Sequence, residues 1–573
     1  MRYYRIWRHS GTGPGLLPPT NLYRVMAILL PLALGFLCIC VWLRKIGSRE
    51  AGLPPGPPTV FLLGNLHVFP TEFAHYKFTE WARKYGRIYS LKLGPGTVVV
   101  LTEVAAVKEL MDKRSGATVD RPAMHVAELV AGGLNMVLAR YSSFLILCST
   151  DSAVDLLCSA DNWRALRRTA HAILTPQACA RHLPIQQAEA TQLLDDILRQ
   201  PQDFYTHIRR YSNSVILSVL YGKRAPRYET PETTAFFNAQ HKWELVLEPG
   251  ATPPVDLIPI LKYVPERWAK WKRDCAITRE LQRDLYFGLL DETKERLRRG
   301  EQNGSYMEEI LTRQEEFGMD REITGYLGGV LIEGGSDTTS SYLQSLILAL
   351  TAYPDAQKKA HAEIDRVVGQ GRMPSLEDLD DMPYIRAMIL ETHRFRPLAP
   401  LFIPHATLTA EEYKGFIIPK GATIFVNAWG IFHDPENFNP ERYLLTDNGT
   451  KPGVDGSDLR PTFAFGVGRR ICPGIHLAQN SININAMNLV WAFSFSTETD
   501  AEGNPIKLDT FAYQKGILTG PCPFKCKITP RSAEKVEIIE REFLEARDTF
   551  SKFEFGLSPE DKEFVGKSRM HRH

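Results

Sequence analysis

Apolar residues first concentrate between Val25 and Leu43, nineteen consecutive uncharged and mostly apolar positions. At ~1.5 Å per residue this run crosses the ~30 Å of a bilayer's hydrocarbon, which predicts one transmembrane helix. Arg44 and Lys45 follow directly, with no small-residue cleavage pattern between, so the pattern reads as an anchor rather than a removed signal peptide. Next comes Leu53-Pro54-Pro55-Gly56-Pro57-Pro58, whose prolines fix φ and predict a stiff connector. Two β-rich runs, Ile88–Leu93 and Thr97–Leu101, flank Gly94-Pro95-Gly96 and predict a hairpin. From there to about residue 400 the periodicity is chiefly helical. The longest helix is expected from Arg321 to Leu350, followed by Asp355–Val368 and Tyr384–Phe395, with Pro354 and Pro383 as punctuation. Short strands and loops are expected from Glu411 to Phe425. No alternating βαβ units and no repeat of roughly 20–50 residues interrupt this order, so the class is mainly α with a small β-sheet region.

Charge narrows the partners. Lys plus Arg number 68 against 66 Asp plus Glu in 573 residues, and a net charge of +2 gives no electrostatic reason to expect nucleic acid. The nine cysteines are odd in number and lack paired zinc spacing, as in a reduced, cytosol-facing protein. Arg2, Arg5, Arg8 and Arg24 precede the apolar span while Arg44, Lys45 and Arg49 follow it, so flanking charge does not choose an orientation. Translation from Met26 would remove the upstream arginines and favour a cytosolic body. The expected division is an N-terminal extension (1–24), an anchor (25–43), a basic and proline-rich linker (44–58), a catalytic domain (59–539) and a mixed-charge tail (540–573). The tail is expected to be solvated or helical and is assigned no function. The sequons at Asn303 and Asn448 would stay bare on a cytosolic body.

The chemistry concentrates in Phe465-Gly466-Val467-Gly468-Arg469-Arg470-Ile471-Cys472-Pro473-Gly474. A cysteine between glycines is by itself usually a small buried hydrophobe. This stretch, however, fits Phe-x-x-Gly-x-Arg-x-Cys-x-Gly at every fixed position, and so resembles the haem signature of the cytochrome P-450 family. The resemblance extends over about Leu53 to Arg531, is nearest to fungal microsomal class II members of secondary metabolism, and implies the cytochrome P-450 fold. It implies haem b with Cys472 as the axial metal ligand, a thiolate that pushes electron density through iron and favours O–O cleavage. Phe465 would cover the proximal face, Gly466 and Gly468 would let the backbone turn close beneath the porphyrin, and Arg470 would pair with a propionate. Trp163 and Arg167 of a Trp-x-x-x-Arg segment, and His405, are implied to lie at the propionates as well.

Glu391-Thr392-His393-Arg394 resembles the family's Glu-x-x-Arg, and Phe438–Tyr443 its Pro-Glu-Arg segment. Alone, an i,i+3 Glu–Arg pair is more often an exposed helix pair. The resemblance instead implies that Glu391, Arg394 and Arg442 form a buried structural cluster. Gly334-Gly335-Ser336-Asp337-Thr338-Thr339 resembles the oxygen-activation motif, in a helix expected to open locally. Thr338 is assigned the hydrogen bond to the oxygen under reduction and Asp337 the proton relay. Leu398–Phe402 and the residues around Glu333 are expected to face the distal pocket.

Two departures stand out. Tyr141-Ser142 and Asp161-Asn162-Trp163 would give the family's Tyr-x-x-x-Trp if residues 143–160 were absent, so these eighteen residues read as an insertion or retained intron. The loop from His433 to Phe438 is about six residues shorter than the family pattern. The resemblance implies a haem-dependent monooxygenase that inserts one atom of O2 into a lipophilic small molecule by hydroxylation or epoxidation, as in terpenoid or polyketide tailoring. Electrons would come from a separate NADPH-cytochrome P-450 reductase, with cytochrome b5 as an optional second donor. The body would lie at the cytosolic face of the endoplasmic reticulum membrane, held by a single lipid-embedded span. The competing readings are a haem-thiolate isomerase or dehydratase that needs no external electrons, and an inactive haem-binding product of a faulty gene model.

Overall fold

The computed structural model describes residues 29–35, 37, 41, 45–141, 160–248, 250–453, 459–500 and 502–570. The N-terminal extension, much of the 25–43 span and all of 143–160 except Ala160 lie outside the described residues. Within the span, Leu29, Leu30, Leu32 and Leu34 are helical and more than half exposed. Among the described residues no helix is long and apolar enough to cross a membrane.

The predicted hairpin forms as β1 (Ile88–Leu93) and β2 (Gly96–Leu101), antiparallel from Ile88↔Leu101 to Leu93↔Gly96. It is joined by β3 (His405–Ala406) and by β6 (Thr423–Val426), after the separate hairpin β4 (Glu411–Tyr413) and β5 (Phe416–Ile418). The sheet order is β1-β2-β6-β3, with β2 and β6 parallel and β3 antiparallel to β6. This pairing carries His405 to the sheet edge beside the helical body. A further ribbon pairs β7 (Phe493–Ser496) with β8 (Lys527–Pro530).

Around the sheet the chain is helical. The helices used below are α1 (Ala74–Tyr85), α2 (His125–Ala131), α3 (Ala160–Ile173), α4 (Leu183–Arg199), α5 (Phe204–Tyr221), α6 (Pro231–Leu247) and α7 (Lys270–Arg299). They continue with α8 (Arg321–Ala352), α9 (Pro354–Val368), α10 (Pro383–Phe395), α11 (Ile475–Ala492), α12 (Ala533–Glu545), α13 (Arg547–Ser551) and α14 (Pro559–Met570). Both predicted prolines open helices at their first turn, where a missing N–H costs nothing. Asp320 caps α8 by accepting from the Ile323 amide at 2.8 Å. Every residue of α8 from Thr339 to Thr351 and of α5 from Arg210 to Tyr221 is buried. A helix buried on all faces is a central one, and α8 packs along α5 while α4 packs on α5 and α11.

The tail is helical, as expected, but it is not a solvated segment. Residues 540–570 are docked, with Phe543, Phe550, Phe553 and Leu557 buried. Arg224 donates to Glu554 at 2.8 Å and lies 3.7 Å from the Phe550 ring, and Arg227 donates to Asp561 at 2.6 Å. The mixed charge that suggested a solvated segment supplies partners for arginines that follow α5, while the spaced aromatics enter the core.

Candidate active site

A cavity of about 350 Å³ lies between α8, α11, the sheet and the segment before α11. Its walls include Cys472, Phe465, Arg470, Arg167, His405 and Thr338. These six sequence-predicted residues, drawn from four separate segments, therefore meet in one chamber.

Cys472 is presented by a fold-back. Single 3-10 turns at Phe463–Phe465 and Gly468–Arg470 bracket the loop, and the Cys472 amide donates to the Phe465 carbonyl at 2.9 Å. Burial pushes the thiol up, whereas the Gly474 amide and the Arg167 guanidinium favour the thiolate. The two glycines have different tasks. Gly466 lines the cavity, but Gly468, at φ +62, faces the Met111 carbonyl and donates its amide to Asp112 at 2.8 Å. A side chain at 468 would collide with the Lys108–Lys113 turn, so this glycine seats the loop on its neighbour and does not make room beneath the porphyrin.

At one end of the cavity the charges are unbalanced. Arg470 is buried and gives its donors to the carbonyls of Val119 (2.9 Å), Met136 (3.2 Å) and Ala139 (2.8 Å). Arg121, which the motifs did not single out, donates to Val137 (2.9 Å), Ile403 (2.7 Å) and Pro404 (2.8 Å) and also lines the cavity. Arg167 reaches the Ile471 carbonyl, and His405 donates from Nδ1 to Thr118 at 2.8 Å. Burial, reinforced by their mutual repulsion, holds Arg121 well below the usual guanidinium range and Arg470 at about 9. Burial lowers Arg167 to about 10, and burial with the nearby arginines keeps His405 neutral. None of Arg121, Arg167 and Arg470 forms an ion pair among the described residues. Trp163 is not on the wall. It stands behind Arg470, 4.3 Å from the guanidinium, and donates to the Met136 carbonyl at 3.2 Å.

The opposite wall belongs to α8. Thr338 faces the chamber with its hydroxyl donating to the Gly334 carbonyl at 2.6 Å. The helix is continuous through this motif, which corrects the expected local opening; the back-bond occupies the hydroxyl within the intact turn. Gly335 provides the close approach, since a Cβ there would stand 2.7 Å from Ile216 on α5. Asp337 is absent from the cavity lining; burial raises its carboxyl against the pull of Arg209. Of the expected run Leu398–Phe402, Leu398, Ala399 and Phe402 face the chamber, whereas Pro400 and Leu401 do not line it. Val330, Leu331 and Gly334 do so as well, while Glu333 turns aside to α7.

Glu391, Arg394 and Arg442 form a separate, fully buried cluster. Arg394 grips Glu391 with both Nε (2.8 Å) and Nη2 (2.7 Å), and Arg442 Nε lies 3.0 Å from Glu391 Oε2. The short loop is no obstacle: Arg394 reaches the carbonyls of Pro435 (3.0 Å) and Asn437 (2.6 Å), Arg442 reaches that of His433 (3.2 Å), and the Asn439 amide donates to Glu391 at 2.6 Å.

The chamber suits the cofactor that the sequence implies. A flat apolar body with two carboxylates would meet apolar walls from Val215, Ile216, Leu477 and Ala478 and leave its anions among Arg121, Arg167, Arg470 and His405. Cys472 would ligate its metal.

The family model described as Cytochrome P-450 matches residues 54–145 and 146–528. A cytochrome P-450 monooxygenase of Armillaria gallica is 44% identical over 540 residues, 92% of this chain and 100% of that protein. One from Arthrobotrys oligospora is 41% identical over 532 residues, 89% of this chain and 94% of that protein. A solved structure of a zebra fish cytochrome P-450 with abiraterone superposes with a TM-score of 0.60 at 23% identity, covering 80% of this chain and 100% of that one.

Proposed function

The chain belongs to the cytochrome P-450 family, and from that premise we propose that it hydroxylates or epoxidises a lipophilic small molecule in fungal secondary metabolism. It is a monooxygenase with haem b as cofactor. When bound, haem uses two electrons and two protons to place one atom of O2 in the substrate and the other in water. The protein supplies position and protons.

The observation that carries this reading is one chamber with Cys472 on one wall and the Thr338 hydroxyl on another. Thr338 can release its bond to Gly334 and turn its hydroxyl into the chamber, and Asp337, whose carboxyl burial raises, can hold and pass a proton beside it. The apolar walls favour a lipophilic substrate such as a terpenoid or polyketide. Electrons come from an NADPH-cytochrome P-450 reductase, with cytochrome b5 as a second donor, and residues 25–43 anchor a cytosolic body in the endoplasmic reticulum membrane. Glycan on Asn303 of the native protein would overturn that topology.

Expression beside the reductase with a panel of terpenoid and polyketide precursors tests the reaction. Thr338→Ala is expected to keep the reduced carbon monoxide band near 450 nm but lower product ~10²-fold while NADPH is still consumed. Product formed at full rate without NADPH would favour the isomerase reading instead.

A second reading concerns residues 143–160. The family match divides between 145 and 146, and the flanking Tyr141 and Trp163 rings meet edge-on at 5.3 Å, with Arg164 donating to the Tyr141 hydroxyl at 3.0 Å. We read the segment as a retained intron whose removal would bring Tyr141 and Trp163 to i,i+4 spacing. A dominant transcript encoding Phe144-Leu145-Ile146-Leu147 would refute it.

A further inference from the structure

The carboxylate of Glu333, the residue directly before the Gly334–Thr339 motif, joins three elements. On Oε1 it accepts from the Tyr286 hydroxyl and from Gln282 Nε2 (3.0 Å), both on α7. On Oε2 it accepts from Asn135 Nδ2 at 3.4 Å. The other end of the Asn135 amide, Oδ1, accepts from the Val137 (3.0 Å) and Leu138 (3.2 Å) amides and so fixes the loop 132–140 that follows α2. Carbonyls of that loop hold the cationic end of the chamber: Met136 accepts from Trp163 and Arg470, Val137 from Arg121, and Ala139 from Arg470. Met136 and Val137 line the cavity, and Val137 is also 39% exposed, so the loop borders chamber and solvent together.

We propose that Glu333 is a positioning residue: through Asn135 it latches the loop 132–140 to α8 and sets how readily a ligand enters and leaves the chamber. This rests on reading the cavity as the haem and substrate chamber. Burial raises the Glu333 carboxyl to about 7, while the bonds from Tyr286 and Asn135 oppose that rise, so the donors on two elements help keep it an acceptor near neutral pH.

The division of labour between the two carboxylate oxygens makes the latch testable. Asn135→Asp keeps an oxygen for the Val137 and Leu138 amides but sets a carboxylate against Glu333. Adding Glu333→Gln supplies an amide N–H to that new carboxylate, while the remaining amide oxygen still accepts from Tyr286 and Gln282. The readout is stopped-flow binding of 4-phenylimidazole to the haem-loaded full chain. Asn135→Asp is expected to raise both association and dissociation rates about fivefold or more, and the double variant to return them to within about twofold of the parent. Glu333→Gln alone, which opposes donor to donor, is expected to behave like Asn135→Asp. Parental rates in both single variants, or a double variant as fast as Asn135→Asp, would overturn the latch alone. A parent that shows the 450 nm band yet no spectral shift with 4-phenylimidazole would overturn the chamber reading and the latch with it.

Discussion

Two buried clusters of guanidinium groups lie around the same chamber and differ in one respect. In the first, Glu391 sits between Arg394 and Arg442, and the spare donors go to carbonyls of the 433–437 loop. In the second, Arg121, Arg167 and Arg470 gather with His405, and Asp120 is the carboxylate that offsets them. In the first, one carboxylate pairs directly with both guanidinium groups and locks helix to loop. The second has three guanidinium groups with no direct ion pair among the described residues, an excess suited to a dianion. Buried guanidinium groups that share a carboxylate directly mark architecture, and those that pair with none mark a ligand seat.

The largest effect should come from breaking the cluster bridged by Glu391. Glu391→Ala strands two buried guanidinium groups and is expected to cost about 3–5 kcal/mol, seen as a lower urea midpoint and loss of the 450 nm band. Arg121→Leu should sharpen the contrast by acting more weakly on the haem-free chain. Relief of repulsion among the cations offsets the loss of its bonds to the Val137, Ile403 and Pro404 carbonyls, so the urea midpoint should fall far less than in Glu391→Ala, while haem affinity falls about tenfold or more. If Arg121→Leu destabilises the haem-free chain as Glu391→Ala does, the distinction between the clusters fails.

The smallest effect is a pH dependence. Burial holds His182 at about 4, His75 at about 3 and His405 well below its ordinary value. Between those values and about 6.5 the unfolded chain binds more protons than the folded one, so stability is full above pH ~6.5 and declines as pH falls. The melting temperature of the haem-free protein should drop by about 2–4 °C between pH 7.5 and 5.5. His405→Gln should flatten part of that slope, and an unchanged slope would remove His405 from the cationic seat.

Local motifs carried much of the site because their partners are near in sequence. The decapeptide ending at Gly474 folds back through one amide bond, and Glu391 and Arg394 meet across one helical turn. Prolines placed the starts of α9 and α10 for a similar reason, since the ring's effect on φ is intrinsic to the residue. Gly468 was recognised but misassigned: its requirement comes from Met111, more than three hundred positions earlier. The docking of the tail is not legible from its average charge, which hides the spacing of Phe543, Phe550 and Phe553.

By itself the sequence determined the helical class, and its short motifs, through the family they resemble, pointed to Cys472 and to the Glu391–Arg394 pair, each a matter of residues within a few positions of one another. Only the tertiary structure decided that Arg121 joins the cationic seat and what Glu333 holds. Arg121 meets Ile403 across 282 residues, Arg470 meets Val119 across 351, and Asn135 meets Glu333 across 198. Contacts of that separation depend on how helices and sheet pack around the chamber, and no period or spacing along the chain encodes them.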